Sequence, residues 1–69
     1  MNDILAAKVL ISHLPEITDG AYKTATEIAI ESLLTMAKFD YHALKPGIPI
    51  HEYLELTKEE YEYWLMGKR

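Results

Sequence analysis

The sequence predicts an all-α fold, a compact bundle of three to five short helices forming one domain over residues 1–69. Three observations lead to this prediction. Apolar residues recur at helical spacing, helix caps and helix breakers divide the chain into segments, and no segment shows the alternation typical of a β-strand. A chain of 69 residues also has room for only one hydrophobic core.

The first predicted helix begins at Asn2 or Asp3 as its cap and runs to about Leu14, because Pro15 disfavours helical geometry in the residues before it. Its apolar side chains cover well over half of the helical circumference: Ile4, Leu5, Ala7, Val9, Leu10, Ile11 and Leu14. Such a helix must be covered by the rest of the chain or by a second copy.

Self-association is expected because the chain is 49% hydrophobic yet has little core volume and no cysteine for a disulfide. We therefore predict a homo-oligomer, in the simplest case a symmetric dimer. The residues assigned to self-association lie on the first helix: Ile4, Val9, Leu10 and Ile11.

The second and longest predicted helix is capped by Thr18 or Asp19 and runs from about Gly20 to Lys38. Its expected core stripe consists of Tyr22, Ala25, Ile28, Ala29, Leu33 and Met36, widened by Ile30, Leu34 and Ala37. Its expected solvent face carries Lys23, Glu27 and Glu31. Residues 39–44 either extend this helix or restart it with Asp40 as a new cap, and the sequence leaves both alternatives open.

Residues 45–49, Lys-Pro-Gly-Ile-Pro, end the second helix. Pro49 is suited to be the first residue of a short helix that continues to about Glu55. The two prolines and the glycine therefore predict a short loop between two helical segments.

The final helix has signals at both of its ends. Thr57 and Glu60 have the spacing of a capping box, and Gly67 is suited to end the helix. Lys68 and Arg69 would place positive charge beside the negative end of the helix dipole.

The charge balance argues against direct nucleic-acid binding. Acidic residues outnumber basic ones by 11 to 7, and no basic cluster exists beyond Lys68 and Arg69 to neutralise phosphates. The exposed faces of candidate recognition helices carry glutamate instead of the arginine, lysine or amide side chains that read bases. No 18-residue apolar run or basic leader is present, so we expect no membrane association and a cytoplasmic location.

No pattern in the chain predicts catalysis, a cofactor or a metal. Residues 51–55 begin like the zinc-protease motif His-Glu-x-x-His, but position 55 is Glu55, and His42 would be a distant third ligand. No glycine-rich phosphate loop exists, and Ser12 and His13 are neighbours on a helix, so they face different directions. We therefore expect a non-enzymatic protein.

An aromatic and acidic cluster near the end of the chain is the main functional candidate. Four aromatic residues are interleaved with glutamates: Tyr53, Tyr61, Tyr63 and Trp64. Tyr61 and Trp64 have the spacing of core residues, whereas tyrosines off the apolar stripe are favoured anchors of interfaces. We predict that a larger protein with a basic surface binds here, through Glu55, Glu59, Glu62 and Tyr63.

Two segments resemble known proteins. Residues 25–34, Ala-Thr-Glu-Ile-Ala-Ile-Glu-Ser-Leu-Leu, resemble the amphipathic helix of small accessory proteins of bacteriophages and prophages. Residues 50–65 are similar in style to the helical endings of phage tail-assembly and other small phage proteins. The resemblance assigns no site residue, and it implies a protein that acts by binding a larger machine.

The function predicted on this basis is inhibition or modulation of a larger protein in the host bacterial cytoplasm. Its sharpest version is an anti-defence inhibitor, such as an anti-CRISPR protein. A phage structural or tail-assembly factor is the first alternative, and a nucleic-acid-binding regulator is the second.

Overall fold

The computed structural model describes residues 2–67, and within that range it contains helices and turns but no β-strand. The α-helices are α1 (Asp3–His13), α2 (Gly20–Leu44), α3 (Ile50–Tyr53) and α4 (Lys58–Leu65), with a 3₁₀ turn at Leu14–Glu16. The all-α prediction is therefore confirmed. The predicted dipole charges Lys68 and Arg69 lie outside the described residues.

Helix α1 begins as predicted, because the Asn2 side chain accepts a hydrogen bond from the Leu5 amide at 2.7 Å. It ends at His13, within one residue of the prediction, but the backbone geometry before Pro15 differs from the expected one. Leu14 keeps right-handed helical angles (φ −55°, ψ −42°) although Pro15 follows it. Pro15 occupies the first turn of the 3₁₀ segment, where its missing amide hydrogen costs nothing. The proline therefore tightens the helix into a 3₁₀ turn.

Residues 39–44 extend the second helix and do not restart it, because α2 continues unbroken through Leu44. It begins where the Asp19 side chain accepts a hydrogen bond from the Tyr22 amide at 2.8 Å. It ends at Lys45, which has left-handed angles (φ 48°, ψ 60°) and whose amide donates to the Tyr41 carbonyl at 3.0 Å. Its 25 residues give a rod of about 37 Å. Asp40 is an ordinary residue within this rod.

The loop after α2 is closed by a tyrosine. The Tyr41 hydroxyl donates a hydrogen bond to the Ile48 carbonyl at 2.6 Å, and its ring lies 5.4 Å from that of Tyr53. Pro49 is the N-cap of α3 and not its first residue, so the helix begins one residue later than predicted. It is a single turn that ends at Tyr53, two residues before the predicted end. The loop and α3 are thereby held against the C-terminal part of α2.

A Schellman motif ends α3. The Leu56 amide donates to the His51 carbonyl at 2.9 Å, and the Glu55 amide donates to the Glu52 carbonyl at 3.0 Å. Glu55 has a φ of 59°, in the left-handed region that glycine usually occupies at this position. A residue with a Cβ in this conformation costs roughly 1–2 kcal/mol.

The predicted capping box of α4 is confirmed. The Glu60 amide donates to the Thr57 hydroxyl at 3.1 Å, and the Thr57 amide donates to the Glu60 carboxylate at 2.8 Å. After the helix, Gly67 has a φ of 70°, which suits its predicted role beyond the last turn. Sequence and structure therefore agree at both ends of this helix.

The buried core lies between one side of α2 and the other helices. Its fully or almost fully buried apolar residues are Ala7, Ile30, Leu34, Ala37, Leu54, Leu56 and Trp64. Ala7 of α1 is completely buried in this core, whereas Ala25, which was expected in the core stripe of α2, is exposed.

The expected core stripe of α2 was centred on the wrong side. Tyr22, Ile28 and Met36 are exposed, while Ile30 and Leu34 are completely buried. The true stripe is rotated from the expected one by roughly a third of a turn, at 100° per residue. The reason is that α2 is apolar on two sides, so its periodicity does not distinguish the covered side.

The molecule is flat because only one side of α2 is covered. Its principal extents are 39 × 26 × 15 Å, and α2 runs nearly the whole length. The Cα radius of gyration is 12.2 Å, compared with about 11 Å for an average domain of this length. No helix within residues 2–67 combines the length and apolar character needed to cross a bilayer.

Candidate protein-binding site

A cleft of about 360 Å³ opens between the end of α1, the first turns of α2 and the last turn of α4. Its lining residues come from all of these elements: Ile11, Leu14, Pro15, Lys23, Glu27 and Tyr63. The short connection between α1 and α2 brings the end of one helix beside the start of the next. The cleft is therefore a direct result of the chain reversal at Pro15.

One side of the cleft is apolar and the opposite side is charged. Ile11, Leu14 and Pro15 form the apolar side, whereas Lys23 and Glu27 project from α2. The sequence places these two α2 residues to pair at i, i+4, but they are not within ion-pair distance of each other. Both charges are thus available to a ligand that covers the apolar side.

Tyr63 connects the cleft to the core. Its ring packs edge-to-face against that of Trp64, with centroids 4.9 Å apart and an angle of 84°. Trp64 is only 6% exposed, so it provides a fixed support, while Tyr63 remains 37% exposed. A supported aromatic ring that is partly exposed is a favourable anchor for a partner, because little side-chain entropy is lost on binding.

Three of the four predicted partner-binding residues share α4. Glu59 lies one helical turn before Tyr63 and is exposed, and Glu62 is half-buried one position before it. Helical spacing therefore places Glu59 beside the tyrosine, and Glu62 about 100° away around the helix. Together with the cleft they form one continuous candidate surface, which we call the α4 surface: Glu59, Glu62, Tyr63 and the cleft.

Glu55 lies apart from this surface. It belongs to the turn before α4, and its carboxylate forms an ion pair with the Lys8 ammonium of α1 at 3.2 Å. Both side chains are about half exposed, so the pair contributes less than about 1 kcal/mol. The ion pair also neutralises part of the Glu55 charge, which was predicted to bind a basic partner.

The residues assigned to self-association lie mostly on the inner side of α1. Ile4, Leu10 and Ile11 are partly buried against the core, and Ile11 also lines the cleft. Val9 is exposed, as is Leu5 one turn earlier. Self-association through the four assigned residues stays a prediction, but three of them already have intramolecular neighbours.

The histidines do not form a cluster. Within residues 2–67, no group of three or more histidine and carboxylate side chains is arranged to hold a metal ion. His13 lies 3.3 Å from the Glu16 carboxylate, one turn away, and the His51 carbonyl takes part in the turn after α3. The first contact involves the His13 side chain, whereas the second involves only the backbone of His51.

Sequence reasoning missed the cleft. Lys23 and Glu27 were assigned to the solvent face, and Leu14 and Pro15 only to the end of α1. A signal was available, since apolar residues directly before a proline-containing connection must meet the start of the next helix. The side of α2 that faces them depends on tertiary packing, which the sequence pattern does not reveal.

No protein-family model, curated protein or solved structure matches the chain.

Proposed function

We propose that the protein is a non-enzymatic binding protein that occupies a surface of a larger protein and inhibits or modulates it. The observation that supports this most directly is the α4 surface, where an open, partly apolar cleft adjoins a supported tyrosine and two carboxylates. Concave apolar sites with a few well-placed polar groups are typical binding sites.

The chemistry of the α4 surface suggests the chemistry of its partner. An apolar side chain of the partner would enter the cleft against Ile11 and Leu14. A lysine or arginine would pair with Glu59 and lie over the ring of Tyr63, combining an ion pair with a cation–π contact. The partner is therefore a protein segment that presents an apolar anchor beside basic residues.

The resemblance to phage accessory proteins extends this proposal to a host target. Enzymes that bind nucleic acid present basic channels, as in RNA-guided nucleases. A chain with a net charge of −4 is attracted to such surfaces at long range. We therefore propose an anti-defence inhibitor, acting in the host bacterial cytoplasm, as the sharpest version of this function.

The test is capture of the partner. The tagged full chain and a Glu59→Lys/Tyr63→Ala variant would each be incubated with a bacterial lysate, with and without phage infection, and the bound proteins identified by mass spectrometry. A defence or replication enzyme bound by the parent but not by the variant supports the proposal, and inhibition of that enzyme would complete it.

Other outcomes of the capture would favour the alternatives. A virion protein as the bound partner would favour a tail-assembly factor. Binding to duplex DNA that weakens steeply with salt would favour a nucleic-acid-binding regulator. Equal capture of every protein by the parent and the variant would contradict a role of the α4 surface.

A further inference from the structure

The side of α2 that faces away from the core carries an uncharged stripe. Its members recur at helical spacing and are all exposed: Ala25, Ile28, Ser32, Thr35, Met36, Phe39 and Ala43. We call this set the outer stripe. The exposure of its three large apolar side chains is unusually high: Ile28 is 58% exposed, Met36 56% and Phe39 69%. Monomeric proteins rarely expose an apolar stripe of this length.

Within residues 2–67, no other element covers the outer stripe. The opposite side of α2 holds the buried residues Ile30, Leu34 and Ala37, and the helices that pack there leave the molecule only 15 Å thick. A core this small gives modest stability, and such domains commonly gain stability by association.

We propose that the outer stripe binds the outer stripe of a second copy, with the two α2 helices antiparallel about a two-fold axis. The stripe is self-complementary in this arrangement. With the axis between Ser32 and Thr35, Ile28 lies opposite Phe39 of the other copy, and Ala25 lies opposite His42, one residue from Ala43. The small central residues allow close approach, and the large ones pack on either side.

The charges beside the stripe fit this arrangement. No charged residue belongs to the stripe, so a strongly basic or acidic partner would find no counter-charge along its centre. On one flank, the register keeps the Lys38 side chains of the two copies about 13 Å apart along the helix axes, so these like charges do not oppose each other. Asp40, on the other flank, meets no acidic residue. The charges therefore favour a second copy over the basic partner of the α4 surface.

The area of the stripe is sufficient for a weak dimer. From residue 25 to residue 43 the helix rises about 27 Å, so a stripe about 10 Å wide has a footprint of roughly 270 Å² per copy. Ile28, Met36 and Phe39 are each more than half exposed and project from this footprint, which raises the accessible area to roughly 500 Å² per copy. A symmetric pair would bury about 1,000 Å², at the lower end for specific interfaces. We therefore expect a monomer–dimer equilibrium in the micromolar range.

Sedimentation equilibrium of the full chain tests this surface. Phe39→Glu and Ile28→Glu should each raise the dimer dissociation constant at least tenfold. Both positions are exposed in the monomer, so circular dichroism should remain helical. The matched control is Leu5→Glu, which changes an equally exposed residue of α1 and should leave the dissociation constant unchanged.

Two results would overturn the proposal. One is a parent chain that remains monomeric at high micromolar concentration. The other is a dimer that dissociates with Leu5→Glu but not with Phe39→Glu, which would place the interface on α1. Neither result depends on the larger partner, so failure here is distinguishable from failure of the proposed function.

The orientation can be tested by single cysteines because the native chain has none. Ser32→Cys lies near the two-fold axis and should cross-link to itself. Ala25→Cys should not cross-link to itself, but it should cross-link to Ala43→Cys when the two variants are mixed. Efficient self-linking of Ala25→Cys would indicate parallel helices and exclude the antiparallel dimer.

Discussion

Glu55 shows how a single residue can stabilise one part of the fold and strain another. Its left-handed backbone closes the Schellman turn after α3, while its carboxylate reaches Lys8 on α1. The first feature favours glycine, and the second requires glutamate. The cost of the backbone conformation, about 1–2 kcal/mol, exceeds the value expected for a half-exposed ion pair.

Glu55→Gly is therefore expected to stabilise the protein by up to about 1 kcal/mol. Glu55→Ala is the control, because it removes the ion pair but keeps the strain, and it should be no more stable than the parent. Urea denaturation followed by circular dichroism measures both. A glycine variant less stable than the alanine variant would show that the turn is not strained.

Thr57→Ala should destabilise the protein by about 1 kcal/mol, because the hydroxyl that accepts the Glu60 amide is lost from the capping box. Lys58→Ala, at the next and exposed position, should change the free energy of unfolding very little. Equal midpoints in urea for the two variants would mean that the cap contributes nothing to stability.

At the scale of the elements, the packing of α4 against the core depends most on one large buried side chain, that of Trp64. Trp64→Ala should cost about 3–5 kcal/mol, because it removes a buried indole from a core of few large residues. Met66→Ala, two positions later and exposed, is the matched control and should be nearly neutral. Thermal unfolding distinguishes the two. A Trp64→Ala protein as stable as the parent would place the indole outside the core.

The elements also show what the sequence could predict. Local signals were sufficient for the cap at Thr57, and they narrowed the other two caps to Asn2 or Asp3 and to Thr18 or Asp19, since a capping side chain and the amide hydrogen it accepts are only three residues apart. They were insufficient at Glu55, where a left-handed turn is built without the expected glycine. A turn that violates a local preference is determined by the packing around it.

The covered side of α2 could not be predicted because both of its sides are apolar. Ile30 and Phe39 are equally hydrophobic in a sequence pattern, yet one is completely buried and the other largely exposed. The opposite error concerns Glu27, which was expected on the solvent face of α2 but lines the cleft on the packed side. A charged residue at the edge of a core can keep its carboxylate near solvent while its stem is covered.

At the scale of the whole molecule, the α4 surface should control binding to the larger partner. Glu59→Lys combined with Glu62→Lys should slow association, and the affinity of the parent should fall as salt rises. Tyr63→Ala should cost about 2 kcal/mol of binding free energy if the ring is an anchor. Surface plasmon resonance with the captured partner gives both rates.

The matched control for charge is Asp40→Lys combined with Glu52→Lys, which changes the net charge equally at exposed positions away from the α4 surface. This control should lose only the long-range part of the attraction. If it weakens binding as much as the α4 variants, net charge is responsible and the α4 surface is not the docking site.

The two surfaces on opposite sides of α2 determine how many binding sites a dimer presents. The cleft and the outer stripe lie on opposite sides of the same helix, so pairing of two copies leaves both clefts open, roughly 25 Å apart along the helix axes. Such a dimer would be bivalent. Against a target with repeated subunits, the second contact would form at high effective concentration, and retention could rise by about 10²–10⁴ without any new contact. Phe39→Glu would then keep its affinity for a single subunit but dissociate quickly from the repeated one.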